Sequence, residues 1–195
     1  MVEHVCPVLK GEGIYLDPFR VDDITEEYIN WLNDPEVNHF LDVRFVHQTR
    51  ETVIAYVNSY YRDTEKYIWA IKLLSDRTII GTITLALINR FYNSGGIGIM
   101  IGNKKYWGKG AASEALNLVM EYAFDSLGLH RLFAHNVTLN LQSNFLLRKA
   151  GFFHEGTARQ AYRLDPRSST YVDGFDFSIL ADEWRERRKM RRKKR

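Results

Sequence analysis

Apolar side chains recur along this chain with two periods, and the switches between them mark out its elements. Residues 13–19 (GIYLDPF) read as an opening strand. Asp22 or Asp23 is placed to cap a helix that carries Ile24, Tyr28, Ile29, Trp31 and Leu32 and stops at Asn33-Asp34-Pro35. A short second helix is predicted over 36–41 and a longer one over 49–61. Residues 66–74 and 78–88 read as strands joined at Ser75-Asp76-Arg77, an antiparallel hairpin in which Ile83, Leu85 and Leu87 alternate with Thr82, Thr84 and Ala86. Ile97, Ile99 and Ile101 alternate with small or flexible residues. From Ala112 the positions Ala115, Leu116, Val119, Met120, Ala123, Phe124 and Leu127 follow the spacing of a core-facing helix. Residues 130–137 give another strand, and 140–150 a helix ending at Gly151, where a left-handed residue commonly closes a helix. Strands over 156–164 and 171–180 complete the sheet, with Phe175, Phe177 and Ile179 alternating with Asp176 and Ser178. Two strand–helix units flanked by antiparallel pairs imply an α/β chain: a mixed (α+β) sheet with helices on both faces.

The connection between Ile101 and the helix from Ala112 contains Tyr106-Trp107-Gly108-Lys109-Gly110-Ala111-Ala112, with no bulky side chain from Gly110 to Ser113. A strand feeding a helix through small residues leaves backbone N–H groups pointing outward at the positive end of the helix dipole, which favours phosphate or pyrophosphate. Lys109 adds a cation. The segment is neither a Walker motif nor the GxGxxG of dinucleotide folds. Read alone, a tight turn built for helix packing accounts for it almost as well.

Together with the segment from Asn140 to Phe152, this loop resembles the GCN5-related N-acetyltransferase (GNAT) superfamily. That family's pyrophosphate loop, Gln/Arg-x-x-Gly-x-Gly/Ala, is matched by Trp107-Gly108-Lys109-Gly110-Ala111-Ala112. Its later pattern, Asn-x-x-Ala/Ser followed by Lys-x-Gly-Phe, is matched by Asn140, Ser143, Lys149, Gly151 and Phe152. The resemblance extends over residues 12–181. It is closest to the branch holding the acetyltransferases of ribosomal-protein N-termini, which also contains enzymes acting on small amines and amino sugars. It implies the GNAT fold, a central and mostly antiparallel sheet with a splayed parallel pair. It also implies acetyl-CoA-dependent transfer of acetyl to a primary amine on a small metabolite, an amino sugar nucleotide or a protein N-terminus. Acetyl-CoA is then the expected co-substrate, with no metal. Ile99, Met100 and Ile101 would hold its pantetheine arm through their backbone, and the amides from Gly108 to Ala112 its pyrophosphate. Asn140 would contact the pantetheine, and its position equally suits a helix N-cap.

Three departures from the family pattern bear on mechanism. Trp107 replaces the loop's usual Gln or Arg, an aromatic wall in place of a polar contact. Leu147 stands where a tyrosine often serves as general acid, and Gly96 where related enzymes place a glutamate. His135 is the remaining candidate for general base, because it matches the position of a catalytic glutamate in ribosomal-protein alanine acetyltransferases and an imidazole titrates near neutrality. The competing reading is a structural or exposed histidine. Ser143 is the nearest matched hydroxyl for protonating the leaving thiolate; a serine in a helix's first turn otherwise only caps. A proton relay through ordered water is the alternative to both. Trp31, Phe40, Arg44 and Phe45, within WLNDPEVNHFLDVRF, are candidates for the acceptor pocket, Arg44 as the partner of a carboxylate or phosphate. Against this stand a core role for Trp31 and Phe45 and an ion pair of Arg44 with Asp42 or Asp34. Arg159, Tyr162 and Arg163 on the closing hairpin are placed to face the same cleft.

Length, charge and cysteine add the rest. With 195 residues, one domain is expected. No apolar stretch approaches the length of a membrane span. Met1 to Cys6 lacks the charged and apolar regions of a secretory signal, and the single cysteine, Cys6, fits a reducing cytoplasm. The net charge of +3 hides a division: residues 185–195 hold nine Lys or Arg and one Glu, leaving −5 on residues 1–184. The chain therefore divides into an acetyltransferase domain over 1–184 and a polybasic tail over 185–195. Such a tail suits an anionic partner such as RNA, DNA, a ribosome or an anionic membrane surface, but having no aromatic residue for base stacking it reads first as a solvated, helical extension of Trp184 with no specific partner. Two readings from other classes follow: a non-catalytic acyl-CoA-binding module, and a nucleic-acid- or ribosome-binding protein acting through the tail. A monomer or homodimer is expected.

Overall fold

The computed structural model describes residues 6–165 and 167–192. The stretch read for a secretory signal, apart from Cys6, and the last three basic residues lie outside the described residues. One eight-stranded sheet has the order β1-β2-β3-β4-β5-β6-β8-β7. Its first five strands, β1 (Leu9–Lys10), β2 (Ile14–Pro18), β3 (Tyr67–Leu73), β4 (Ile79–Asn89) and β5 (Ser94–Ile101), pair antiparallel in chain order. β5 meets β6 (Arg131–Val137) in parallel. β8 (Val172–Leu180) lies antiparallel to β6 on one side and to the edge strand β7 (Phe153–Tyr162) on the other. The mixed sheet with one parallel pair is the architecture the pattern implied.

Helices cover both faces. α4 (Ala111–Glu121), α5 (Leu141–Ala150) and α6 (Ala181–Arg192) bury Ala115, Leu116, Val119, Leu147 and Trp184 against Leu16, Trp69, Ile83, Leu132 and Phe177. On the opposite face α1 (Glu26–Asn33) and α3 (Arg50–Tyr61) bury Tyr28, Trp31, Val53 and Val57 against Ile68, Ala70 and Met100. The four-residue α2 (Pro35–Asn38) continues from α1. Each core cluster joins helix residues at 3.6 spacing to strand residues at spacing two, as the periodicities require.

Two expectations need correcting. Thr25, not Asp22 or Asp23, caps α1, its hydroxyl accepting from the Tyr28 amide at 3.2 Å. The two aspartates sit in a preceding 3-10 turn, where Asp23 accepts from the Arg20 amide and from Lys72 Nζ. Leu87 does not continue the inward series of β4. It is 69% exposed with φ +53°, because β4 carries an extra residue against β5 between Ala86 and Asn89. Strand β1 was not predicted, since two residues leave no periodic signal. α6 runs through residue 184 without a break, so the basic segment begins inside a packed helix.

Candidate active site

β5 and β6 are paired only at their beginnings, through Ser94–Arg131, Gly95–Leu132 and Gly96–Phe133. Beyond Gly96 the two strands part. Which groups of β5 face the opening follows from its ladder with β4. The Gly102 amide donates to the Ile80 carbonyl at 2.9 Å, and hydrogen-bonded pairs alternate along an antiparallel ladder. Met100 therefore turns its N–H and C=O toward Thr82 on β4, whereas Ile97, Ile99 and Ile101 turn theirs toward the β6 side. The Ile101 carbonyl accepts from the Trp107 indole at 2.7 Å. Trp107 is thus a clasp between loop and strand. The main chain of Ile99 is left facing the gap.

The loop from Asn103 to Gly110 closes this end of the gap. Asn103 caps a 3-10 turn (Lys104–Tyr106), and Gly108 and Gly110 take φ +71° and +91°, the left-handed region that favours glycine. Gly110 is the N-cap residue of α4 and supplies no side-chain cap; the first turn closes through the Glu114 amide donating to the Gly110 carbonyl at 3.0 Å. Among the described residues, the amides of Gly108, Gly110, Ala111, Ala112 and Ser113 meet no protein acceptor. A Cβ built on Gly108 or Gly110 would have no neighbour within 4 Å, so only backbone conformation demands glycine there. Free donors, a helix dipole and open space together suit a diphosphate. The Lys109 ammonium lies 5.6 Å from the Tyr106 ring. The Glu114 carboxylate, further along α4, accepts from the amides of Glu12 and Gly13 at 2.5 and 2.9 Å and so pins the helix to the β1–β2 turn.

On the other flank of the gap, His135 stands opposite Asp176 on β8, its Nδ1 2.7 Å from Oδ1. Phe133 precedes it on the same face, 5.4 Å away between ring centroids, and the Phe133 ring also packs 3.0 Å from where a Cβ on Gly96 would stand. A side chain at Gly96 would have to displace the Phe133 ring by a few tenths of an ångström, and the nearest titratable side chain on this face of β6 is His135. The Tyr162 ring covers Gly174, two residues before Asp176, and its phenol is raised above its ordinary pKa by burial and then by the charges of Asp176 and Asp42. Ser143 lies on α5, with its Oγ accepting from Asn136 Nδ2 at 2.9 Å and its amide donating to the Asn140 side chain at 3.1 Å. Asn140 is therefore the N-cap of α5. Adjacent strand residues face opposite ways, so His135 and Ser143 occupy opposite sides of β6.

The acceptor candidates divide. Trp31 is buried, its indole lying where a Cβ on Gly102 would stand. Arg44, with its side chain 8% exposed, donates Nη1 to the Leu41 carbonyl (2.6 Å), Nε to Leu164 (3.1 Å) and Nη2 to Arg163 (2.6 Å). Burial lowers its pKa, which Asp42 at 3.7 Å partly offsets. These bonds tie the 3-10 turn (Asp42–Phe45) to the end of the β7–β8 hairpin, and Arg44 stacks 4.1 Å over the Phe45 ring. Phe45 is exposed, and Phe40 packs against His39. A cleft of about 440 Å³ between Asn33, His39, His47 and Leu164 includes Arg44. Separately, Gly98 in the middle of β5 is exposed on the face that carries His135, so this part of the sheet is not roofed by α1 and α3. Asp176, which pairs with His135, was not among the candidates read from the sequence. Its signal, a polar residue alternating with Phe175 and Phe177, looks like any outward-facing strand position until its partner strand is known.

A family model described as "Acetyltransferase (GNAT) domain" matches residues 14–153. The probable N-acetyltransferase YjcK of Bacillus subtilis (strain 168) is 33% identical over 165 residues, covering 81% of this chain and 90% of the relative. Among solved structures, spermidine N-acetyltransferase from Vibrio cholerae in complex with CoA and spermine aligns with a TM-score of 0.77 at 21% identity, over 88% of this chain and 98% of that one. Ribosomal-protein-S5-alanine acetyltransferase from Vibrio fischeri aligns with a TM-score of 0.74 at 20% identity, over 91% and 98%. At these identities the two structures bear on the fold alone.

Proposed function

The chain belongs to the GNAT acetyltransferase family and is an N-acetyltransferase, and from that premise we propose that it transfers acetyl from acetyl-CoA to a primary amine, with His135 as general base. The observation that carries this reading is the β5–β6 gap, bounded at one end by unpaired amides and on one flank by an imidazole. The amides of Gly108 to Ala112 fit the diphosphate of the co-substrate. The free main chain of Ile99 fits its amide-bearing arm, and Asn140 and Trp107 fix the segments on either side. Bound there, acetyl-CoA supplies the activated acetyl group.

The protein's own task is to manage protons. A primary amine reaches the site mostly as ammonium, which has no lone pair to attack with. His135 Nε2 accepts one proton from it. The neutral nitrogen then bonds to the acetyl carbon as the C–S bond breaks, and a second N–H proton passes to sulfur. Ser143 is assigned to that last transfer: its Oγ accepts from Asn136 and keeps its own hydrogen to give. Asp176, beside His135 at the edge of the gap, is a carboxylate that a cationic acceptor would meet on its way in. The exposure of Gly98 and His135 supports an acceptor arriving over an open face, whether a small amine or a protein N-terminus. A reducing, cytoplasmic setting is consistent with the single, half-buried thiol of Cys6.

The test is acceptor-dependent release of free thiol from acetyl-CoA, across polyamines, amino sugar nucleotides and peptides with free N-termini. Cys6 does not confuse the readout, because burial pushes its thiol up to about 12 and keeps it protonated at assay pH. Release is expected with at least one class, falling about 100-fold or more in H135Q. Tight acetyl-CoA binding with no release across the panel would instead favour a non-catalytic acyl-CoA-binding module.

A further inference from the structure

The geometry points to Asp176 as a positioning residue that holds His135 in the tautomer its reaction needs, a proposal that rests on reading His135 as the base. An ionised carboxylate can only accept, so at 2.7 Å from Oδ1 the hydrogen belongs on Nδ1, and the neutral ring keeps its lone pair on Nε2. With Nδ1 turned to β8, Nε2 is turned away from it. That is the flank on which the gap to β5 opens.

The pairing is set by the sheet rather than by loops. β6 and β8 are in continuous register from Arg131–Leu180 to Val137–Gly174, and His135–Asp176 lies inside that ladder. The nearest carboxylate on the same strand face, Glu155, is already committed, accepting from Ser178 Oγ at 2.7 Å and from Arg131 Nη2 at 2.5 Å. Among the described residues, Asp176 has no Lys or Arg partner of this kind. Phe133 stands against one side of the imidazole, and Tyr162 lies toward the carboxylate. The contact is about half exposed on both sides, 51% for His135 and 39% for Asp176, so it is not a core element that the fold needs for stability.

The experiment combines a spectroscopic readout with kinetics. Nitrogen-15 NMR of labelled imidazole, at a pH where His135 is neutral, is expected to show the Nδ1–H form in the unaltered protein. In Asp176→Ala the Nε2–H form should dominate. Asp176→Asn, whose amide can donate to Nδ1, should give the same result with side-chain volume kept. In both variants kcat is expected to fall about 10-fold or more, with KM for acetyl-CoA unchanged, and neither should add to the loss already present in His135→Gln. An unchanged tautomer in both variants would overturn the proposal. So would a switched tautomer with full kcat, or an equal further loss when the change is made in the His135→Gln background. A fully active His135→Gln would overturn the base assignment itself. It is distinguishable from failure of positioning alone, in which His135→Gln is inactive and the Asp176 variants are not.

Discussion

Arg44 illustrates how the same side chain reads differently before and after its neighbours are known. A guanidinium in an aromatic stretch signals carboxylate or phosphate recognition, and nothing in the sequence connects it to carbonyls 119 and 120 residues away. In the fold those carbonyls, with that of Leu41, take three of its donors. Its role is then to hold the β7–β8 hairpin against the turn after α2. Removing the side chain strips partners from three oxygens, so R44A should cost about 2 kcal/mol, or roughly 5 °C in Tm for a domain of this size. R44K should recover less than half of that, because an ammonium cannot reach three divergent acceptors as a planar fork does. Thermal denaturation decides it. An unchanged Tm with a raised KM for the amine would return Arg44 to acceptor binding.

The strand–loop–helix from β5 through α4 shows the opposite case. Its glycine spacing, its apolar strand and its helical stripe were all present in the sequence, and the fold assembled them in that order. What the sequence could not give was the parting of β5 from β6 after Gly96, or which alternate residues of β5 face the opening. Both depend on pairing across about thirty residues of intervening chain. The same limit hid the His135–Asp176 contact, because nothing local marks Asp176 and its partner is set by the β6–β8 register. The loop itself supports a quantitative expectation. G110A carries the cost of a left-handed non-glycine residue, about 1 kcal/mol, without adding charge. G110D adds a carboxylate at the N-terminus of α4, where the unpaired amides are. If those amides hold the diphosphate, the Kd for acetyl-CoA should rise at least about 10-fold more in G110D than in G110A, an electrostatic difference of about 1.4 kcal/mol. Equal affinities in the two variants, measured by calorimetry, would remove the loop from the cofactor site.

At the scale of the whole molecule, the acidic body and the basic segment are joined by α6. Trp184 sits in the core 5.4 Å from the Phe124 ring, and Arg188 stacks 5.0 Å over Trp184 while pairing with Glu121 and Asp125. Arg187 reaches the Lys149 carbonyl at 3.3 Å and fills the space beside Gly151. The first basic residues thus serve the fold, and any polyanion binding must draw mainly on those after them. Two truncations separate these roles. A chain ending at residue 183 loses the buried indole and the Arg188 pairs. The indole alone is worth on the order of 3 kcal/mol, and the exposed pairs add less than about 1 kcal/mol. Its Tm should fall by roughly 10 °C. A chain ending at residue 190 keeps both and sheds five cations, so its Tm and its acetyl transfer should match those of the full chain. If the tail binds nucleic acid, the full chain should show RNA affinity that falls steeply with salt, and the shorter chain a slope reduced by up to about five phosphate contacts. An identical salt slope in the two would place the anion-binding surface elsewhere, and a loss of transfer activity on removing residues 191–195 would make the tail part of the acceptor site.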